Sequence, residues 1–234
     1  MYHGIVSALS VSPERREEGA DIYDVKAGDF CAQMELLKRQ NDRAIITFDD
    51  GEMNNYEIAL PILKELQLTA IFFIIVKRVG AQGYLGWEEI RKLIQAGMKV
   101  GSHGLTHEIL TGLTDDQIKQ ELKASKMTLE ANLGVPINDL SVPRGFCNDK
   151  IIQMAYAQGY KNVFISERPY HIKSPCIARV AVKGNWSLRR FQQALMGETP
   201  LNEIVGNFFK KSAKTILGGD GYNYMRKVLI KILR

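Results

Sequence analysis

Two pairs of residues in this chain, Asp49-Asp50 and His103-His107, have types and spacing suited to chemistry. The aspartates follow the run Ile45-Ile46-Thr47-Phe48 and precede Gly51, with no basic residue directly beside them. Neighbouring side chains at the end of a strand point in different directions, so one carboxylate can bind a metal while the other faces a substrate. Taken alone, the pair reads more simply as a solvated Asp-Gly turn. His103 and His107 are two of only four histidines and lie four residues apart. In a helical turn that spacing puts both imidazoles on one side, as a metal pair requires, although chance also yields such pairs. Joined to Asp50, they make a three-ligand set with an open fourth position, the catalytic rather than the structural arrangement for zinc.

Elements must bring these residues together. Residues 43–48 and 69–76 are short apolar runs that read as buried strands, and 98–102, 140–143, 161–165 and 178–182 read as further strands. Helices are expected over 54–66, kinked at Pro61, and over 87–96, 114–133 and 149–158. Thr114 is the expected N-cap of the third helix, with Gln117 three residues on and Gly134 closing it. Strand–helix alternation with short connections implies parallel strands and right-handed crossovers. The expected fold is therefore α/β, a distorted or incomplete (β/α) barrel of about seven parallel strands. Barrels gather catalytic side chains at the C-terminal ends of strands. That rule singles out Asp49, Asp50, Ser102, His103 and the turn Pro143-Arg144-Gly145.

Composition narrows the classes. The 234 residues are 45% hydrophobic and 24% charged, the balance of a globular chain rather than of a disordered, collagen-like or coiled-coil one. The longest apolar run, residues 70–76, is too short to span a bilayer. Residues 1–9 lack a basic start and a long apolar stretch, so no signal peptide is expected and the cytoplasm is the expected compartment. Three scattered cysteines make neither a disulfide framework nor a cysteine zinc site. The net charge of +5 sits wholly in residues 201–234, which hold seven basic and two acidic residues. A charge confined to a tail argues against a nucleic-acid partner. Residues 1–200 are expected to form the barrel, and 201–234 a basic, amphipathic helical tail. Such a tail suits peripheral membrane contact or packing on the barrel.

Thr47-Phe48-Asp49-Asp50-Gly51, Ser102-His103 with His107 four residues on, and the Pro143-Arg144-Gly145 turn together resemble the polysaccharide deacetylases, the family four carbohydrate esterases. Pro61-Ile62-Leu63-Lys64, Gly83-Tyr84-Leu85-Gly86-Trp87 and Gly159-Tyr160 support the likeness, which covers about residues 1–182. The resemblance implies that Asp50, His103 and His107 hold a divalent metal, Zn2+ being the expected ion, and that Asp49 stays off it as general base. The expected substrate is an acetylated glycan, with acetyl groups removed from an N-acetylated sugar. Met1-Tyr2-His3-Gly4 resembles the biofilm poly-N-acetylglucosamine deacetylases, in which the closing motif has moved to the N-terminus. This makes His3 the implied general acid, with His171 a weaker candidate. Ser141 stands where many relatives carry an arginine that orients the base. Arg144 and Arg179 are the expected substitutes, and Pro143 and Gly145 are expected on the substrate side. Two rival readings share these residues: a carbohydrate-binding protein on a catalytically decayed barrel, and a metal hydrolase of a non-sugar amide. Trp87 and Cys147 are expected to be structural.

Overall fold

The computed structural model describes residues 1–10, 12–14, 16–40, 44–166 and 172–198. His171 and the tail of residues 201–234, with its expected helices and membrane contact, lie outside the described residues. The strands are β1 (Ile5–Val6), β2 (Val25–Lys26), β3 (Ile46–Phe48), β4 (Ala70–Ile74), β5 (Lys99–Ser102), β6 (Asp139–Ser141), β7 (Asn162–Ile165) and β8 (Ile177–Ala178). The helices are α1 (Ala27–Gln40), α2 (Leu60–Glu65), α3 (Trp87–Gln95), α4 (Asp115–Leu133), α5 (Asp149–Ala157) and α6 (Leu188–Leu195).

Strands β3 to β8 form one parallel sheet in sequence order, and β1 pairs with β2 apart from it. β3 and β4 are buried along their whole length, as strands covered on both faces must be. The chain also bridges the two edges of this sheet. Tyr2 lies parallel to Phe48, donating to Thr47 O at 2.8 Å and accepting from Asp49 N at 2.9 Å. On its other side, Met1 O accepts from Val182 N at 3.0 Å. Six strands and this N-terminal segment thus make up the expected distorted barrel. The expected last strand, 178–182, is shorter than read, since only Ile177–Ala178 joins the ladder.

Local rules account for the helices that position the site. Thr114 caps α4: its hydroxyl accepts from Gln117 N at 3.4 Å, while Gln117 Oε1 accepts from Thr114 N at 2.9 Å. Gly134 ends the helix in the left-handed region, at φ 68°. The expected helix over 54–66 is present as a continuous helical run over 53–65, widened at Asn55–Ala59 ahead of α2. Pro61 follows the widened segment directly, where Leu60 N still bonds back to Asn55 O, and the wide pitch accommodates its missing N–H within the helical run. α1 and α6 were not expected from the sequence. α1 buries Phe30, Met34 and Leu37 against a core in which Phe48 and Phe72 stack at 4.7 Å.

Candidate active site

The three implied ligands meet at the C-terminal ends of β3 and β5. Asp50 Oδ1 lies 3.5 Å from His103 Nε2 and 3.5 Å from His107 Nε2, and one ligand atom from each residue falls within 4.8 Å of the others. Asp50 Oδ1 is buried and accepts no hydrogen bond among the described residues. A buried carboxylate oxygen without a donor is costly, and a cation between it and two imidazole nitrogens removes that cost. The residues present therefore fit a divalent metal. Asp50 and His107 both sit in the left-handed region, at φ 73° and 74°. Such strained positions cost stability and persist where surrounding structure imposes them.

The imidazoles do not meet by the expected route. Residues 103–107 form a loop, not a helical turn. The loop reverses at Gly104, φ 81°, where a Cβ would crowd Pro143 Cγ at 3.2 Å. The two rings end 4.8 Å apart. Glu121 of α4, which sequence reasoning missed, holds this loop from below. Its carboxylate accepts from Leu105 N and Thr106 N at 3.0 Å each and from Thr106 Oγ1 at 2.7 Å.

His103 is hydrogen-bonded through its second nitrogen, whereas His107 has a carboxylate at ion-pair distance from its own, out of line for a hydrogen bond. His103 Nδ1 lies 2.8 Å from Ser141 O, a carbonyl that only accepts, so Nδ1 carries the proton and Nε2 offers its lone pair to the cluster. Burial pushes His103 down to about 4, against the pull of Asp49 and Asp50, so the ring is neutral at pH 7. His107 Nδ1 lies 2.8 Å from Glu17 Oε1.

Asp49 borders the ligand cluster, its Oδ2 3.8 Å from His103 Nε2, but both its oxygens are turned to Arg179. Arg179, one residue beyond β8, grips it with both arms, Nη1 on Oδ1 at 2.7 Å and Nη2 on Oδ2 at 2.8 Å. The same guanidinium donates to Thr47 Oγ1 at 3.1 Å and to Ser141 Oγ at 2.7 Å, and Ser141 Oγ donates to Asp49 Oδ2 at 3.1 Å. Its plane rests near the rings of Phe73 and Phe164, at 5.2 and 5.7 Å. Burial alone would raise the Asp49 carboxyl. The charges of Arg179 and then His103 override it and hold Asp49 well below the usual carboxylate range.

Arg144, the other arginine considered for the base, is not at Asp49. It lies at φ 58° in the Pro143–Gly145 turn, and its Nη1 meets Glu17 Oε1 at 2.7 Å. Asp49 is already paired on both oxygens, and the left-handed backbone turns Arg144 to the N-terminal segment instead. Pro143 is buried beside Gly104, and Gly145 packs close to Ser166, so these two residues support the histidine loop and its turn.

His3 is half-buried and packs on Tyr23, ring centroids 4.9 Å apart. Burial lowers its pKa, while the carboxylates of Asp50 and Asp49 oppose that shift. Its main-chain oxygen accepts from Asn55 Nδ2 at 2.6 Å. Nearby, buried Glu52 takes Arg16 Nε at 2.9 Å and Asn54 Nδ2 at 2.9 Å, and Arg16 also pairs with Asp24. Asn54 Oδ1 accepts from Ile5 N at 3.1 Å, which ties this network to the strand that follows His3. Trp87 opens α3 and packs partly buried against the core, and the buried thiol of Cys147 is pushed up to about 12.

Comparison with known proteins agrees with this arrangement. Residues 37–163 match the sequence pattern described as polysaccharide deacetylase. YxkH of Bacillus subtilis (strain 168) is 29% identical over 170 residues, 69% of this chain and 61% of that protein. Peptidoglycan-N-acetylmuramic acid deacetylase PdaA of the same strain is 32% identical over 123 residues, 52% of this chain and 45% of that protein. The chain thus spans about half to three-fifths of these relatives' length. The Streptococcus pyogenes deacetylase PplD, solved with acetate, shares the fold, with a TM-score of 0.70 at 24% identity over 83% of this chain and 95% of that one. Because the matched pattern runs from the last turns of α1 into β7, over more than half of the 234 residues, the chain belongs to the polysaccharide deacetylase family.

Proposed function

We propose that this protein is a metal-dependent hydrolase that removes acetyl groups from an N-acetylated sugar of a glycan. The observation that carries the reading is the division of labour between adjacent carboxylates. Asp50 faces two imidazoles with an oxygen that lacks a donor, while Asp49 is held off the cluster and ionised by Arg179. Zn2+ suits the Asp-His-His donor set. When bound, it supplies positive charge for the acetyl carbonyl and brings the pKa of water to about 7. PdaA, a relative named for deacetylating peptidoglycan N-acetylmuramic acid, supports the substrate class.

In this reading the chain's residues perform two proton transfers. Asp49 takes a proton from the water that attacks the acetyl carbon. A carboxylate with so low a pKa is a weak base, so the water must already be acidified, and Arg179 fixes direction rather than basicity. The carbon–nitrogen bond breaks, acetate leaves with the water oxygen, and the sugar amine needs a proton. His3, next to Tyr2 whose backbone pairs with Thr47 and Asp49 at the end of β3, is the proposed donor. The test is acetate release from N-acetylated glycans by the zinc-loaded chain. Release that depends on zinc and disappears in Asp50→Ala supports the reading. Stoichiometric zinc with no release from N-acetylated glycans refutes it in favour of a binding role or a non-sugar amide.

A further inference from the structure

Glu17 and Arg144 remain once the base, its arginine and the three ligands have been assigned. They come from separate parts of the chain, the N-terminal segment and the turn after β6, yet they converge on a third, the histidine loop after β5. A single oxygen, Glu17 Oε1, lies 2.7 Å from Arg144 Nη1 and 2.8 Å from His107 Nδ1. The side chains of Glu17 and Arg144 are 25% and 20% exposed, so solvent screens the contact only in part.

The two ligand histidines are supported differently. His103 leans on a main-chain carbonyl, which any residue at position 141 would supply. His107 faces a side-chain carboxylate, which depends on the residue type at position 17. His107 is also the histidine held in a loop at positive φ, so less of its ring direction is fixed by regular structure. A carboxylate on the second nitrogen of a ligand histidine sets both the tautomer and the ring orientation.

We propose that Glu17, clamped by Arg144, is a positioning residue that aims His107 Nε2 at the bound cation. The proposal rests on the reading of Asp50, His103 and His107 as the metal site. It is tested by the zinc affinity of the purified full chain in competition with a chromophoric chelator, with circular dichroism to monitor folding. Glu17→Ala is expected to weaken zinc binding by about 10- to 100-fold. In a His107→Ala background the same change is expected to have no further effect, since Glu17 reaches the cation only through His107. A folded Glu17→Ala that binds zinc as tightly as the parent overturns the proposal, and so does an equal loss in both backgrounds. If Glu17→Ala does not fold, Glu17→Leu, which keeps bulk but offers no acceptor, replaces it under the same two criteria. A parent chain that takes up no zinc overturns the metal site and Glu17's role together, whereas a tight parent with an unaffected variant overturns Glu17's role alone.

Discussion

Asp49 and Arg179 are both buried, and the pair is bidentate. Removing one partner from such a pair strands the other, which typically costs about 3–5 kcal/mol, far more than the pair adds over apolar residues. Arg179→Ala is therefore expected to lower unfolding stability by about that amount in urea titrations, and a loss below about 1 kcal/mol would count against a tightly held pair. Asp49→Asn keeps the shape but loses the base. It should still bind zinc stoichiometrically and should lose about 10²- to 10⁴-fold in acetate release, the usual contribution of a general base. Undiminished release would remove Asp49 from the mechanism. The sequence pointed to both aspartates because they follow an apolar run, the signature of a strand end, and to both histidines because they lie four residues apart after an expected strand. It could not choose between Arg144 and Arg179. Each stands near a strand end, and the choice depends on backbone handedness at Arg144 and on which strands meet across the barrel. Glu17 was illegible because it lies in a segment with no periodic pattern.

α4 shows how an element distant from the chemistry shapes it. Its cap was readable from Thr114, Gln117 and Gly134, but its service to the site was not, since Glu121 looks like any acidic residue in a charged helix. The structure buries Glu121 and gives it two backbone N–H groups of the histidine loop. Glu121→Ala leaves these without a carboxylate partner. An expected stability loss of about 1–3 kcal/mol per stranded group should accompany weaker zinc binding, with Asp49 and Arg179 untouched. Unchanged melting and unchanged zinc affinity would show that the loop holds its shape alone. α1 was missed although Phe30, Met34 and Leu37 recur at helical spacing. Glu35, Lys38 and Arg39 share its run, and the mean signal of so mixed a helix is weak. The wide turn before α2 is a compromise between Pro61 and a helical run, which a simple kink did not anticipate.

Over the whole molecule, two buried groups set opposing responses to acid in the metal-free chain. His103 binds its proton at about 4 when folded and near 6.5 when unfolded, so its contribution is present above 6.5 and is lost as pH falls toward 4. Glu52, raised by burial from 4.5 to about 7 although Arg16 and Asn54 pull it down, protonates first in the folded state. Its contribution is present below 4.5 and is lost as pH rises through 7. The two windows nearly coincide and their signs oppose. The buried N-terminal amine, lowered from 8.0 to about 5, acts with His103, so the metal-free parent should melt lower on acidification, and Glu52→Gln, which removes the opposing group, should fall more steeply. A flat profile in that variant would refute the opposition.

The pairing of Asp49 with Arg179 joins the first strand of the main sheet to the last, across a separation of 130 residues. A chain emerging from the ribosome has its base long before the group that tethers it. Every partly assembled species in which β8 has yet to dock carries an untethered carboxylate, so in the proposed mechanism efficient hydrolysis awaits the seating of the final strand. Catalytic turnover then reports completed folding, and recovery of activity after dilution from denaturant should lag behind recovery of helical signal.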